Sequence, residues 1–359
     1  MPVEVLDASH SAAAWYRILG KLPPQMRDVY WLPQWTDLHR FEAGSLAKMF
    51  TYRRRDSIWA YPFLLQPILH VGRRALDRTW FDITTAYGYG GPLTNDRSED
   101  FLSEAYTSFD EWCENQGVVA EFVRFHPLLR NESWIDPRVD LVMDRETVSI
   151  QLTRLGSDDL PYGSTACNML RRAARTGMTA QVMRISESYD QFVEFYLRAM
   201  DRLHADSFYY FSDAYFRDLK NLIRERGYLL VAECECEWIA AAVFLKGDQW
   251  LHYHLSASNA ETRVPGATNL LLHEAAQAGF KEGLSMLHLG GGRSGRSDDS
   301  LLKFKKSMGT ATHPFFVGRR IHNQEAYTVL RAIWEQECPS LVSRYDQQVL
   351  AYRHTVADH

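Results

Sequence analysis

The stretch that most constrains this chain is residues 287–309, a short apolar segment, then a glycine-rich loop, then a run of helical spacing carrying three lysines. Strand, loop and helix in that order commit this part of the chain to an α/β or α+β layer. Ser297 or Asp298 is placed to cap the helix, and Gly309 to stop it. At roughly 100° per residue, Leu301, Leu302, Phe304 and Met308 share one arc, and Lys303 and Lys306 fall opposite. Lys305 projects from the middle of the apolar arc. A lysine aimed inward must reach a cleft or find a partner, because a buried, unpaired ammonium is costly. The other reading is a snorkelling stem with its tip in water. Aimed inward, the ammonium can stabilise negative charge that develops on a ligand, with Phe304 shaping the cleft.

The rest of the chain frames that segment. Its 359 residues suffice for two domains. The 46% hydrophobic and 24% charged content is that of a soluble globular protein. Residues 1–20 hold no continuous apolar core, and the apolar runs at 228–232 and 240–245 are too short to cross a bilayer, so the expected location is the cytoplasm, with no membrane span. Five scattered cysteines (Cys113, Cys167, Cys234, Cys236, Cys338) give no disulfide framework. A net charge of −5 argues against wholesale coating of nucleic acid, and no DNA partner is expected. Local basic tracks remain at 53–55, 171–175, 303–306 and 319–320, enough for a phosphate-bearing partner on one side.

Periodicity predicts helices over 12–19 and 99–116 in the first half, with strands at 48–52, 57–67, 119–125, 139–142 and 147–152. In the second half it predicts helices over 165–176, 189–203, 213–225 and 269–281. Strands there fall at 179–185, 228–234, 238–246, 249–256, 285–289 and 315–319, before a helical tail from 323. Similar units in both halves suggest an internal duplication, with no residue-level repeat to support it.

Several short motifs are ambiguous. Arg171, Arg172 and Arg175 lie within about 100° of one another on their helix, a ridge that suits phosphate or simply a solvated face. Tyr87 and Tyr89, set among glycines, form either a stacking platform or a packed tight turn; Arg124 and His126 end the strand that can line the same cleft. His252 and His254 point to one face of a strand and His288 lies nearby, but no carboxylate is recognisably paired with them, so no metal is expected. Gly290, Gly292 and Gly295 match GxGxxG, yet the acid that a dinucleotide fingerprint needs is replaced by Phe315. The loop more plainly leaves room for a ligand beside Lys305, with Tyr253, Gly291, Gly292 and Ser297 as candidate substrate contacts.

The second-half order resembles the GNAT (acyl-CoA N-acyltransferase) fold. Two such units resemble the Fem family, which transfers amino acids from aminoacyl-tRNA to amines of peptidoglycan precursors. The resemblance rests on YGYGGPL at 87–93, EFVRFHPL at 121–128, LRRAAR at 170–175, MDR at 200–202 with YYF at 209–211, HYHLS at 252–256, NLLL at 269–272 and the stretch 288–309. It implies an α/β (α+β) chain of two tandem GNAT-like domains, with mixed sheets flanked by helices. The expected domains are 1–152 and 153–319, followed by a helical segment, 320–359, packing back on the first. It also implies that Lys305 sits at the acyl-transfer centre. The basic residues Arg171, Arg172, Arg175, Lys303 and Lys306 then meet the phosphates of an aminoacyl-tRNA donor.

The acceptor implied is a small amine-bearing peptide or nucleotide-linked compound, either a peptidoglycan precursor or a peptidyl nucleoside antibiotic. No long charged heptad arm interrupts the second half, which favours a small acceptor. No cofactor is expected. CoA-using members of the fold resemble Arg/Gln-x-x-Gly-x-Gly/Ala before the helix that holds pyrophosphate. Here Arg263 and Gly266 match, Thr268 replaces the last small residue, and Pro265 removes an N–H, which favours another donor. The rival expectations are a CoA-dependent N-acyltransferase and a non-catalytic RNA- or peptide-binding protein.

Overall fold

A computed structural model describes residues 2–156, 160–259, 261–262, 264–296 and 298–356. The chain forms two compact units. Unit 1 holds residues 1–26, 30–144 and 315–359; unit 2 holds 27–29 and 145–314. These borders lie at 144/145 and 314/315, where the sequence suggested 152/153 and 319/320.

Unit 1 runs β1 (Val3–Asp7), α1 (Ala12–Leu19), α2 (Pro33–Leu38), β2 (Leu46–Arg54), β3 (Ser57–Val71), β4 (Arg74–Thr84), β5 (Leu93–Thr94), α3 (Glu99–Gln116), β6 (Val118–Arg124) and the start of β7 (Asp140–Gln151). Its sheet is ordered β1-β2-β3-β4-β6, antiparallel except where β4 and β6 run parallel across the α3 crossover. The helix is specified locally. Glu99 and Asp100 suit the positive end of its dipole, and Gly117, at φ 73°, ends it in the left-handed conformation. Phe101, Ala105, Tyr106, Phe109 and Cys113 form its buried stripe and meet Phe50, Trp59, Tyr61 and Phe63 of the sheet.

Unit 2 continues from β7 through α4 (Ser164–Arg175), β8 (Thr179–Val182), α5 (Ile185–Arg202), α6 (Asp213–Arg226), β9 (Gly227–Cys234), β10 (Glu237–Lys246), β11 (Trp250–Ser258), α7 (Ala267–Lys281), β12 (Met286–Gly291), α8 (Ser300–Met308) and the start of β13 (Ala311–Ile321). Its order is β8-β9-β10-β11-β12-β7, antiparallel except for the parallel β11/β12 pair joined through α7. Alternate strand residues, including Ile150, Leu230, Ala242, Phe244, Leu251, Leu287 and Leu289, share a core with α4, α7 and α8. Residues of α5 and α6 do not join that cluster; α6 reaches β11 by a bond from Tyr215 Oη to His254 Nε2 at 2.9 Å.

The two units therefore repeat one pattern: four antiparallel strands, a helical crossover to a parallel fifth, and an antiparallel sixth. The sixth strand is exchanged in sequence. Residues 317–321 of β13 pair with β6 in unit 1, and residues 147–151 of β7 pair with β12 in unit 2. After β13, α9 (Gln324–Glu337) and α10 (Pro339–Tyr345) belong to unit 1, where Leu330 and Trp334 share a core with Ile68, Val71 and Val119.

Two expectations need correction. The separate strands at 139–142 and 147–152 are one strand, β7, and the helix expected from 189 begins at Ile185 as α5, which shortens the strand before it to Thr179–Val182. None of the five cysteines is paired.

Candidate active site

Helix α8 is capped by Asp299 rather than by Ser297 or Asp298. Its Oδ1 accepts the Leu302 N–H at 2.9 Å, and its Oδ2 accepts the N–H and hydroxyl of Ser294 at 3.0 and 3.2 Å. One carboxylate thus fixes both the start of the helix and the loop before it. Ser297 lies outside the described residues, as does Arg263. Gly309 ends the helix in extended conformation.

The buried stripe of α8 is Leu302, Lys305 and Met308. Lys305 is only 8% exposed, and its Nζ donates to the Gly291 carbonyl at 2.7 Å. The same nitrogen lies 6.0 Å from the centre of the Tyr253 ring, at the limit of cation–π reach. Lys305 makes no ion pair among the described residues. Burial is the main reason its pKa falls from 10.5 to about 8; Arg145 pushes it down as well, while Asp299 pulls it up. The ammonium therefore remains largely charged at neutral pH and has two further N–H donors beyond the one held by Gly291. Phe304 is half-buried at the edge of the core.

The other two lysines point away. Lys303 is exposed, and Lys306 is exposed and paired with Glu146 of β7 at 2.7 Å. Arg171, Arg172 and Arg175 are all exposed on α4, with Arg171 bonded to Asn168 at 2.8 Å. Helices α4 and α8 are neighbours in unit 2, linked by the Gly163 N–H to the Ser307 carbonyl at 2.9 Å.

Tyr87, Tyr89, Arg124 and His126 belong to unit 1. The Tyr87 carbonyl accepts Trp35 Nε1, and the Tyr89 ring sits edge-on to Tyr30, His126 and Phe315. His126 is fully buried, and its Nδ1 accepts the Leu129 N–H at 3.2 Å. Arg124 holds Thr84 Oγ1 and the Thr85 carbonyl and lies 4.7 Å above Phe122; burial lowers its pKa.

One pairing was invisible in the sequence. His252 Nε2 lies 2.9 Å from Asp28 Oδ2, both within unit 2 and both buried, so His252 does have a carboxylate. The two residues are 224 apart in sequence, and no spacing rule reaches that far.

Fold and site together define a tandem GNAT-like protein with a buried amine beside a glycine turn. Residues 165–306 match the family model described as an acetyltransferase (GNAT) domain. FemX, at 14% identity, superposes with a TM-score of 0.67 over 92% of this chain and 99% of its own. The C-terminal domain of a putative lysylphosphatidylglycerol synthetase from Agrobacterium fabrum gives 0.54 at 13% identity, over 93% and 97%. A conserved protein of unknown function from Bacteroides thetaiotaomicron gives 0.55 at 12% identity, over 89% and 99%. No curated protein matches the chain by sequence. The chain thus shares the fold of FemX, and its GNAT-domain match lies within unit 2. Among the described residues no helix is long and apolar enough to cross a membrane.

Proposed function

We propose that the protein transfers an amino acid from aminoacyl-tRNA to the amine of a small peptide-type acceptor. The observation that carries this reading is the Lys305 ammonium, buried without a carboxylate partner among the described residues and held at the mouth of the glycine turn by Gly291. An aminoacyl ester is already activated, so the protein needs to position the amine and stabilise developing negative charge. The acceptor nitrogen attacks the ester carbonyl, whose π electrons move to oxygen. That oxyanion takes hydrogen bonds from Lys305 while Gly291 keeps the third N–H. Collapse re-forms the carbonyl and breaks the bond to the ribose oxygen; the amine gives up a proton and the ribose oxygen gains one. Phe304 and Tyr253 line the reacting centre. The exposed arginines of α4 and Lys303 supply positive potential for the tRNA phosphates. Lys306 joins them only by releasing Glu146. Peptidyl nucleosides and peptidoglycan precursors are the acceptors of choice.

A second reading, CoA-dependent N-acyl transfer, is favoured by the description of the matched family model. Against it stands the turn before α7. Pro265 offers no N–H, and Thr268 stands where the CoA-using pattern has glycine or alanine.

Incubation with a mixed pool of charged tRNAs and candidate amines, read by mass spectrometry, tests the proposal. The expected product is an acceptor heavier by one aminoacyl residue, abolished by ribonuclease. Saturable CoA binding with no ribonuclease-sensitive product would favour the second reading.

A further inference from the structure

The ammonium of Lys305 is held by a backbone carbonyl, and a carbonyl in a glycine loop needs its own support. Gly291 pairs with Thr147 at the end of the β12/β7 ladder, where regular pairing stops. Beyond that point the turn is gripped by a side chain. Arg145 Nη1 donates to the carbonyls of Gly292 at 3.1 Å and Arg293 at 3.2 Å. Its stem lies flat against the turn: a Cβ on Gly291 would stand 2.9 Å from Arg145 Cδ and 2.9 Å from the Glu146 carbonyl. The next residue of β7, Glu146, draws Lys306 outward at 2.7 Å. Two adjacent residues of one strand thus sort the lysines, one pulling Lys306 to the surface and one bracing the carbonyl that keeps Lys305 inside.

We propose that Arg145 is the positioning residue of the Lys305 site, clamping residues 291–293 so that the Gly291 carbonyl holds the ammonium inward. The assignment deepens the transferase reading and rests on it for its functional meaning, but the clamp can be tested without any transfer assay. The charged and titratable groups facing Lys305 are Asp299 at the α8 cap, Arg145 from β7 and Tyr253 from β11. The arginines of α4 are exposed. Removing Arg145 takes away a cation as well as a clamp, so position and titration change together and must be read separately.

The experiment is amine-selective acylation of the intact protein across a pH series, with the rate at Lys305 followed by peptide mass spectrometry against Lys303 as internal reference. The high-pH plateau reports access to the amine, and the midpoint reports its protonation. In Arg145→Gln the Lys305 plateau should rise on the order of tenfold, as expected for losing a charge-assisted clamp, and the midpoint should move up from about 8. Arg145→Lys keeps the charge but lacks the planar guanidinium whose Nη1 reaches both carbonyls. Its midpoint should stay near wild type while its plateau rises. Gly291→Ala, whose methyl displaces the arginine stem, should raise the plateau too, and supplies the reading if Arg145→Gln does not fold. A plateau at the wild-type value in these variants overturns the proposal, whatever the midpoint does. Failure of the transferase reading looks different: the wild-type protein would form no aminoacyl product while Arg145→Gln still released the lysine.

Discussion

At the scale of single residues, the behaviour of Lys305 follows from its burial. Its folded pKa, about 8, lies below the unfolded value of 10.5. Between those values the unfolded chain binds more protons, so folding stability rises with pH through that window, by roughly 3 kcal/mol in all. Lys305→Met fills the same space without a charge and should remove the rise. Denaturant unfolding at pH about 7 and about 10 measures it; an equal increment in wild type and variant would contradict the assignment. The transfer rate has the opposite sign, because the charged form does the work: it should fall as pH rises through about 8, a break absent from Lys305→Ala. The inward aim of this lysine was legible because helical periodicity fixes which side chains share a face. Its cap was less so: residues 297–300 read Ser-Asp-Asp-Ser, all capping types, and the bonds from Ser294 select Asp299. The link between Asp28 and His252 depends on tertiary folding alone.

At the scale of elements, the ends of helices with a clear apolar stripe were readable to within a residue or two, except the start of α5, which lies four residues before the expected 189. The α3 expectation of 99–116 matches the helix found. Strands were harder. β4 reads Arg-Ala-Leu-Asp-Arg-Thr-Trp-Phe-Asp-Ile-Thr and is largely exposed along its first half, so no alternation announces it. β7 was split because Asp144-Arg-Glu146 looks like a loop, although Arg145 and Glu146 are charged strand residues with partners at the α8 turn. Gly266 offers a test at this scale. At φ 89° and against the Met169 carbonyl it has no room for a side chain, so Gly266→Ala should destabilise unit 2 by roughly 2 kcal/mol. Hydrogen exchange of α7 amides reads the effect; unchanged protection would show that the turn relaxes freely.

At the scale of the whole molecule, the mirrored strand pattern explains why sequence alone hinted at duplication without a repeat. The shared feature is topology, and each unit completes its sheet with a strand from a distant part of the chain. The C-terminal segment ties into unit 1 through a buried carboxylate: Asp82 accepts Tyr352 Oη at 2.6 Å and Arg353 Nε at 2.7 Å, and burial raises its pKa. Asp82→Ala strands both donors and should cost unit 1 roughly 3 kcal/mol, with faster exchange in α9; an unaltered unfolding curve would mean the tail is held by apolar contacts alone.

The most direct measurement remains single-turnover aminoacyl transfer by Lys305→Ala alongside donor affinity. If the ammonium acts on the oxyanion, turnover falls on the order of 10²–10³ while aminoacyl-tRNA binds as before. If binding weakens in step with turnover, or turnover persists, Lys305 is not at the reacting centre.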